Sequence, residues 1–228
     1  MPFAQLVRHA RNYSTCCLVL APTASLAHAQ TASATDTVFT LPSTHVHDLH
    51  SKINGRHYRL FVALPLGYSG RSGSRFPVLY LLDGGVSLPV AAITYRVSHR
   101  GSSDSLLLVG VGYGGAVNHR AVDFTLPASP RSDSSTLRDA REGRCCGAAV
   151  TNRVFREEII PLIDRLYRTT NDRGIFGTSY GGLFANYLLF ADPDLFQRYA
   201  IASPSLWWDD NAIFDQEAAF ARTHTALP

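Results

Sequence analysis

The residues Gly177-Thr178-Ser179-Tyr180-Gly181 have the composition of a turn that presents a nucleophile. A serine hydroxyl can attack a carbonyl only if it stands clear of its own backbone. A sharp turn achieves this, and small residues two before and two after the serine let neighbouring chain close in. The run Arg173 to Gly177 predicts a short strand, and Leu183 to Phe190 an apolar helix, so Ser179 falls where strand passes into helix. There the Tyr180 N–H, at a helix start, faces a developing oxyanion with the helix dipole behind it. A second donor is required. Asp83-Gly84-Gly85, directly after the apolar run Leu79 to Leu82, is placed either to supply it, with glycine letting the backbone lie against a substrate, or simply to end the strand in a turn.

These two turns need a frame. From Val38 to Leu64 the pattern predicts two antiparallel strands joined at Ile53-Asn54-Gly55-Arg56, with Tyr58, Leu60, Val62 and Leu64 alternating along the second. Pro77 to Leu82 and Leu106 to Val111 are short, Val- and Leu-rich runs, as buried parallel strands require. Leu88 to Val97 forms a crossover helix between them. The stretch from Gly115 to about Gly147, rich in Ser, Arg, Pro and Asp, reads as irregular. Val150, Val154, Phe155, Ile159, Leu162, Ile163 and Leu166 then recur at helical spacing, with Pro161 marking a kink or a new first turn. Tyr199 to Ala202 is a further strand. Alternating strands and helices imply a three-layer α/β domain with a mostly parallel sheet.

Several segments together resemble a family. Leu79-Tyr80-Leu81-Leu82-Asp83-Gly84, Arg120-Ala121-Val122-Asp123-Phe124-Thr125, Glu158-Ile159-Ile160-Pro161, Gly177 to Leu183 and Ser203-Pro204-Ser205-Leu206-Trp207-Trp208 look like the esterase D branch of the α/β-hydrolases. Within it the chain is most similar to periplasmic siderophore esterases that cut trilactone esters, and more distantly to S-formylglutathione hydrolases. The resemblance implies an α/β-hydrolase fold and a small-molecule ester substrate. It makes Ser179 the nucleophile and Gly84 with Tyr180 the oxyanion hole. Arg120 then contacts an acidic or catecholic substrate group, or else pairs with Asp123; Trp207 and Trp208 are wall or core.

A serine needs a base, which this family takes from a histidine after the last strands. His224 is the single histidine after Ser179, and its place close to Pro228 is a poor one for a base, because terminal residues are seldom held firmly. Asp209 and Asp210 are candidate acids. Between Ser179 and Pro228 there is room for one strand and about one helix, so the expected fold lacks its C-terminal strands. The competing reading is a truncated or degenerate hydrolase that binds ligand without turnover.

The composition narrows the rest. The chain has 228 residues, 46% hydrophobic and 17% charged, enough for one domain and unlike a disordered chain. Its net charge is +3 and Lys52 is its only lysine, with no basic block, which argues against a nucleic-acid partner. Arg8 and Arg11 before the apolar stretch Cys16 to Leu26, followed by Ala27-His28-Ala29, read as a signal peptide over residues 1–29, leaving 30–228 as the domain of a periplasmic or secreted protein. No apolar run is long enough for a membrane anchor. Cys145 and Cys146 are adjacent, sterically poor partners for each other, and read as loop thiols. Gly110-Val111-Gly112-Tyr113-Gly114-Gly115 fits a dinucleotide fingerprint, but no apolar-periodic helix follows it. His45 and His47 share a strand face without an evident third ligand, so no metal or cofactor is expected.

Overall fold

Six strands form one mixed sheet in the order β1-β2-β4-β3-β5-β6: β1 (Thr44–His50), β2 (His57–Ala63), β3 (Phe76–Leu82), β4 (Leu107–Tyr113), β5 (Thr169–Ser179) and β6 (Arg198–Pro204). The structure, a computed structural model, describes residues 40–69, 73–98 and 105–223; the expected signal segment 1–29 and His224 lie outside them. Pairing is antiparallel from β1 through β2 to β4, and parallel from β4 through β3 and β5 to β6. The antiparallel opening and parallel centre are those expected. The turn between β1 and β2 is wider than a two-residue hairpin: Ser51 N–H donates to Arg56 O, Gly55 N–H to Ser51 O, and within the turn only Gly55 takes a positive φ, of 69°.

Period-two alternation sorts the strands between two layers of helix. Tyr58, Leu60, Val62, Tyr80, Leu82 and Val109 face a core built with α4 (Ala148–Val154), α5 (Ile160–Leu166), α6 (Tyr180–Ala191) and α8 (Ile213–Ala221). Leu81 and Leu108, from the same strands, face Leu88 and Ala92 of α1 (Gly84–Ser98) on the other side. The larger core is partly aromatic, with Tyr80 edge-on to Phe155 and Phe196, a geometry aromatic pairs prefer.

Pro161 acts as expected. Lacking an N–H, it cannot extend α4, and the helix passes through a π turn (Phe155–Ile159) before α5 begins with Pro161 in its first turn. The stretch after Gly115 is less irregular than its composition suggests. It holds the short α2 (Arg120–Asp123) and α3 (Ser134–Arg141), whose N-cap Asp133 accepts from Thr136 N–H at 2.6 Å. It also holds a second correction: Cys145 and Cys146 are joined to each other in a disulfide. Cys146 takes a positive φ of 79°, its N–H donates to Thr125 Oγ1 at 2.7 Å, and this turn leads into α4.

Candidate active site

Two neighbouring parallel strands end in the same way. Ser179, the last residue of β5, has φ 56° and is followed at once by α6; Asp83, just past the end of β3, has φ 55° and is followed at once by α1. Positive φ is costly for residues with a side chain and persists where packing enforces it. Here the enforcing contacts are visible. A Cβ on Gly177 would lie 2.2 Å from the Gly181 carbonyl oxygen, and one on Gly84 would lie 2.3 Å from the Gly110 carbonyl carbon. Each strand therefore meets its helix, or its neighbour, at a distance only glycine permits. Gly181 is less constrained than expected, since its nearest contact would be 3.4 Å; Gly182, which the motif does not include, is tighter, 3.0 Å from Pro204 Cα.

The outcome is a pair of helix N-termini opening on one edge of the sheet, with the Ser179 side chain exposed between them. The first-turn amides of a helix have no partner inside it. In α1 the Asp83 carbonyl takes the Val86 and Ser87 N–H groups, so Gly84 is among the remaining donors; in α6 Tyr180 N–H is the first.

Arg120 reaches this edge from α2. Its Nε and Nη2 bind Asp83 Oδ1 and Oδ2 at 2.8 and 3.1 Å, and its guanidinium lies 5.6 Å from the Tyr180 ring centre. Asp123 is thus not its partner. Asp123, 1% exposed, accepts from Tyr113 Oη at 2.8 Å and Tyr58 Oη at 3.2 Å and pairs with Arg56 at 2.8 Å. Burial outweighs these partners and raises its pKa, and burial likewise raises both tyrosines. The network ties α2 to β2 and β4 and so fixes where Arg120 stands.

On the other side of Ser179, Ser205 is 4% exposed with its Oγ 3.2 Å from Ser179 Oγ. Trp208 is buried in the core and Trp207 is exposed beside the Tyr180 ring, 6.0 Å centre to centre. A cleft of about 990 Å³ runs from Arg120 and Asp83 between α1 and the sheet, past Val90 and Phe176 to Thr178, one residue short of Ser179.

Of the remaining candidates, Asp209 and His47 are engaged elsewhere. Asp209 accepts from Ser132 Oγ at 2.5 Å, in a left-handed turn within α7 (Trp208–Asn211), and Asp210 is exposed in the same turn. His47 Nε2 meets Tyr167 Oη at 2.6 Å, while His50 stacks on His57 at 4.2 Å. Desolvation and then the charge of His45 lower the His47 pKa. Two glycines of the fingerprint-like run serve packing: a Cβ on Gly110 would meet Leu88 Cβ at 2.8 Å, and one on Gly114 the His57 ring at 2.5 Å. No helix among the described residues is long and apolar enough to cross a membrane.

The family described as "Putative esterase" matches residues 51–227. The ferri-bacillibactin esterase BesA of Bacillus subtilis is 32% identical over 194 residues, 79% of this chain and 64% of that protein. The siderophore enterobactin esterase of Emericella nidulans is 31% identical over 176 residues, 72% of this chain and 58% of that protein. Among solved structures, the siderophore hydrolase EstA from Aspergillus nidulans has a TM-score of 0.70 at 26% identity, covering 86% of this chain and 70% of that one. This chain spans about three-fifths of the length of these two curated relatives.

Proposed function

The chain belongs to the Esterase family, and from that premise we propose that it hydrolyses carboxylic esters through an acyl-enzyme on Ser179, with siderophore esters as the substrate class. The observation that carries this reading is the exposed Ser179 at φ 56° between β5 and α6, beside the matching elbow at Asp83. In the reaction, Ser179 Oγ bonds to the ester carbonyl carbon while a base takes its proton. The carbonyl electron pair moves onto oxygen, within reach of the Tyr180 and Gly84 N–H groups, and on its return expels the alcohol, which takes up a proton. Water then repeats the sequence on the acyl-enzyme and frees Ser179. His224 is the histidine available downstream in the sequence. Arg120, beside the partly buried Tyr180 ring, which in turn neighbours the exposed Trp207, offers a cation and an aromatic wall to an acidic or catecholic group. The names of two relatives, a ferri-bacillibactin esterase and a siderophore enterobactin esterase, support this choice.

The test is turnover of p-nitrophenyl esters and of a siderophore trilactone by the chain and by Ser179→Ala. Loss of at least about 10³-fold is expected. Unchanged turnover in Ser179→Ala would remove Ser179 as the nucleophile, and no turnover by the chain itself would leave a ligand-binding role instead. His224→Ala, assayed alongside, identifies the base if its loss approaches that of Ser179→Ala. Residues 1–29 are proposed as a signal peptide directing export. Sequencing the N-terminus of the exported protein checks this, with Gln30 expected first.

A further inference from the structure

We propose that Ser205 is a positioning residue for Ser179, an inference that rests on the esterase reading above. Ser205 holds the serine elbow at two points: its N–H donates to the Ser179 carbonyl at 3.0 Å, and its Oγ lies 3.2 Å from Ser179 Oγ. The approach is built into the sheet. Parallel pairing of β5 with β6 runs in step to Thr178 opposite Ala202, then slips by one residue so that Ser179 faces Pro204. The extra residue, Ser203, takes a φ of 41°. Without that bulge the chain would continue the ladder, and Ser205 would not turn in beside the elbow.

The turn is anchored on both sides. Pro204 packs against the first turn of α6 at Gly182, and Trp208 N–H donates to the Ser205 carbonyl at 3.1 Å while its side chain is buried in the main core. Ser205 Oγ is thus a buried hydroxyl at a fixed place, and among the described residues its hydrogen-bond partner is Ser179 Oγ. Either oxygen can donate in such a pair. A nucleophile must keep its own proton free for the base, so the productive arrangement has Ser205 donating. Its O–H then occupies one lone pair of Ser179 Oγ, fixes the χ1 rotamer, and leaves the Ser179 proton directed out of the protein. When the acyl-enzyme breaks down, the C–Oγ bonding pair returns to the same oxygen, which takes its proton back from the base while the Ser205 O–H hydrogen bond holds it in place.

The experiment compares wild type, Ser179→Ala, Ser205→Ala and Ser205→Thr for the rate of covalent labelling by a fluorophosphonate probe, followed by intact mass, and for kcat and KM on p-nitrophenyl butyrate. Ser205→Ala is expected to slow labelling about 10-fold or more and to lower kcat with KM nearly unchanged. Its thermal midpoint should stay within a few degrees of wild type. Ser205→Thr, which keeps the hydroxyl, is expected to recover part of the rate; if it recovers none while still folded, the hydroxyl is not the active feature and the proposal fails. Labelling of Ser205→Ala at the wild-type rate overturns the positioning role and leaves Ser179 as nucleophile. Labelling of Ser179→Ala at the wild-type rate, or no labelling of wild type, overturns the esterase reading and this inference with it.

Discussion

Arg120 and Asp83 face each other side-on across the mouth of the site, Nε to Oδ1 at 2.8 Å and Nη2 to Oδ2 at 3.1 Å, linking α2 to the elbow after β3. The two side chains are 28% and 27% exposed, so the pair is neither fully screened nor fully desolvated. A double-mutant cycle with Arg120→Ala and Asp83→Asn, read by chemical denaturation, should return a coupling of about 1 kcal/mol. Arg120→Lys keeps the charge but not the planar two-point contact. It should therefore lower ester turnover more than it lowers stability. Equal activity in Arg120→Lys and wild type would remove Arg120 from the substrate contact.

The glycines beside the two elbows should separate cleanly. Gly177→Ala and Gly84→Ala put a Cβ 2.2 and 2.3 Å from backbone atoms that cannot step aside, and each should cost about 2–4 kcal/mol in urea denaturation. Gly85→Ala is the control. Nothing lies within 4 Å of its added Cβ, so its stability should stay within about 0.5 kcal/mol of wild type.

Asp123 gives the structure a pH dependence of defined sign. Burial lifts its pKa above the ordinary 3.8, so the folded chain holds this proton to higher pH than the unfolded chain does. Between those two values the folded state binds more protons, and stability from this group falls as pH rises. Asp123→Asn cannot ionise. The urea midpoint of wild type relative to Asp123→Asn should therefore decline as pH is raised from the ordinary carboxylate range toward neutrality, and a difference that stays flat would contradict the burial of an ionisable carboxyl here.

The Cys145–Cys146 bond predicts a specific fragment. Trypsin releases residues 145–153 between Arg144 and Arg153. Without reductant that peptide should be two hydrogens lighter than its dithiol form and refuse alkylation; after reduction it should take two alkyl groups. Alkylation of the unreduced, denatured chain at both positions would show free thiols instead.

Much of the fold was legible in the sequence because it rests on short-range rules. Apolar runs bounded by glycine located β3, β4 and β5, the spacing from Val150 to Leu166 located the helix, and Pro161 marked its break. The serine elbow was legible for the same reason: the close approach of Gly177 to the Gly181 backbone, four residues on, is local. The α3 helix was missed because its exposed face carries no apolar repeat; the Asp133 cap was the available signal. The adjacent cysteines were read as thiols on the strength of an unfavourable bond geometry, which the turn at Cys146 with its positive φ accommodates.

What tertiary structure alone decided are the pairings between segments far apart in the chain. Arg120 had two plausible uses in the sequence, a substrate contact or a pair with Asp123; the structure pairs it instead with Asp83, at the end of β3, while Tyr58 and Tyr113 hold Asp123 in the core. Ser205 stood in the run Ser203 to Trp208 with no mark of its own. It became a neighbour of Ser179 through parallel pairing of β5 with β6 and a one-residue slip at Ser203. Local sterics select a turn or a helix from a few adjacent residues, so they are written in sequence. Strand order and register depend on which surfaces the whole chain can bury together, and only the folded chain brings Ser205 to Ser179.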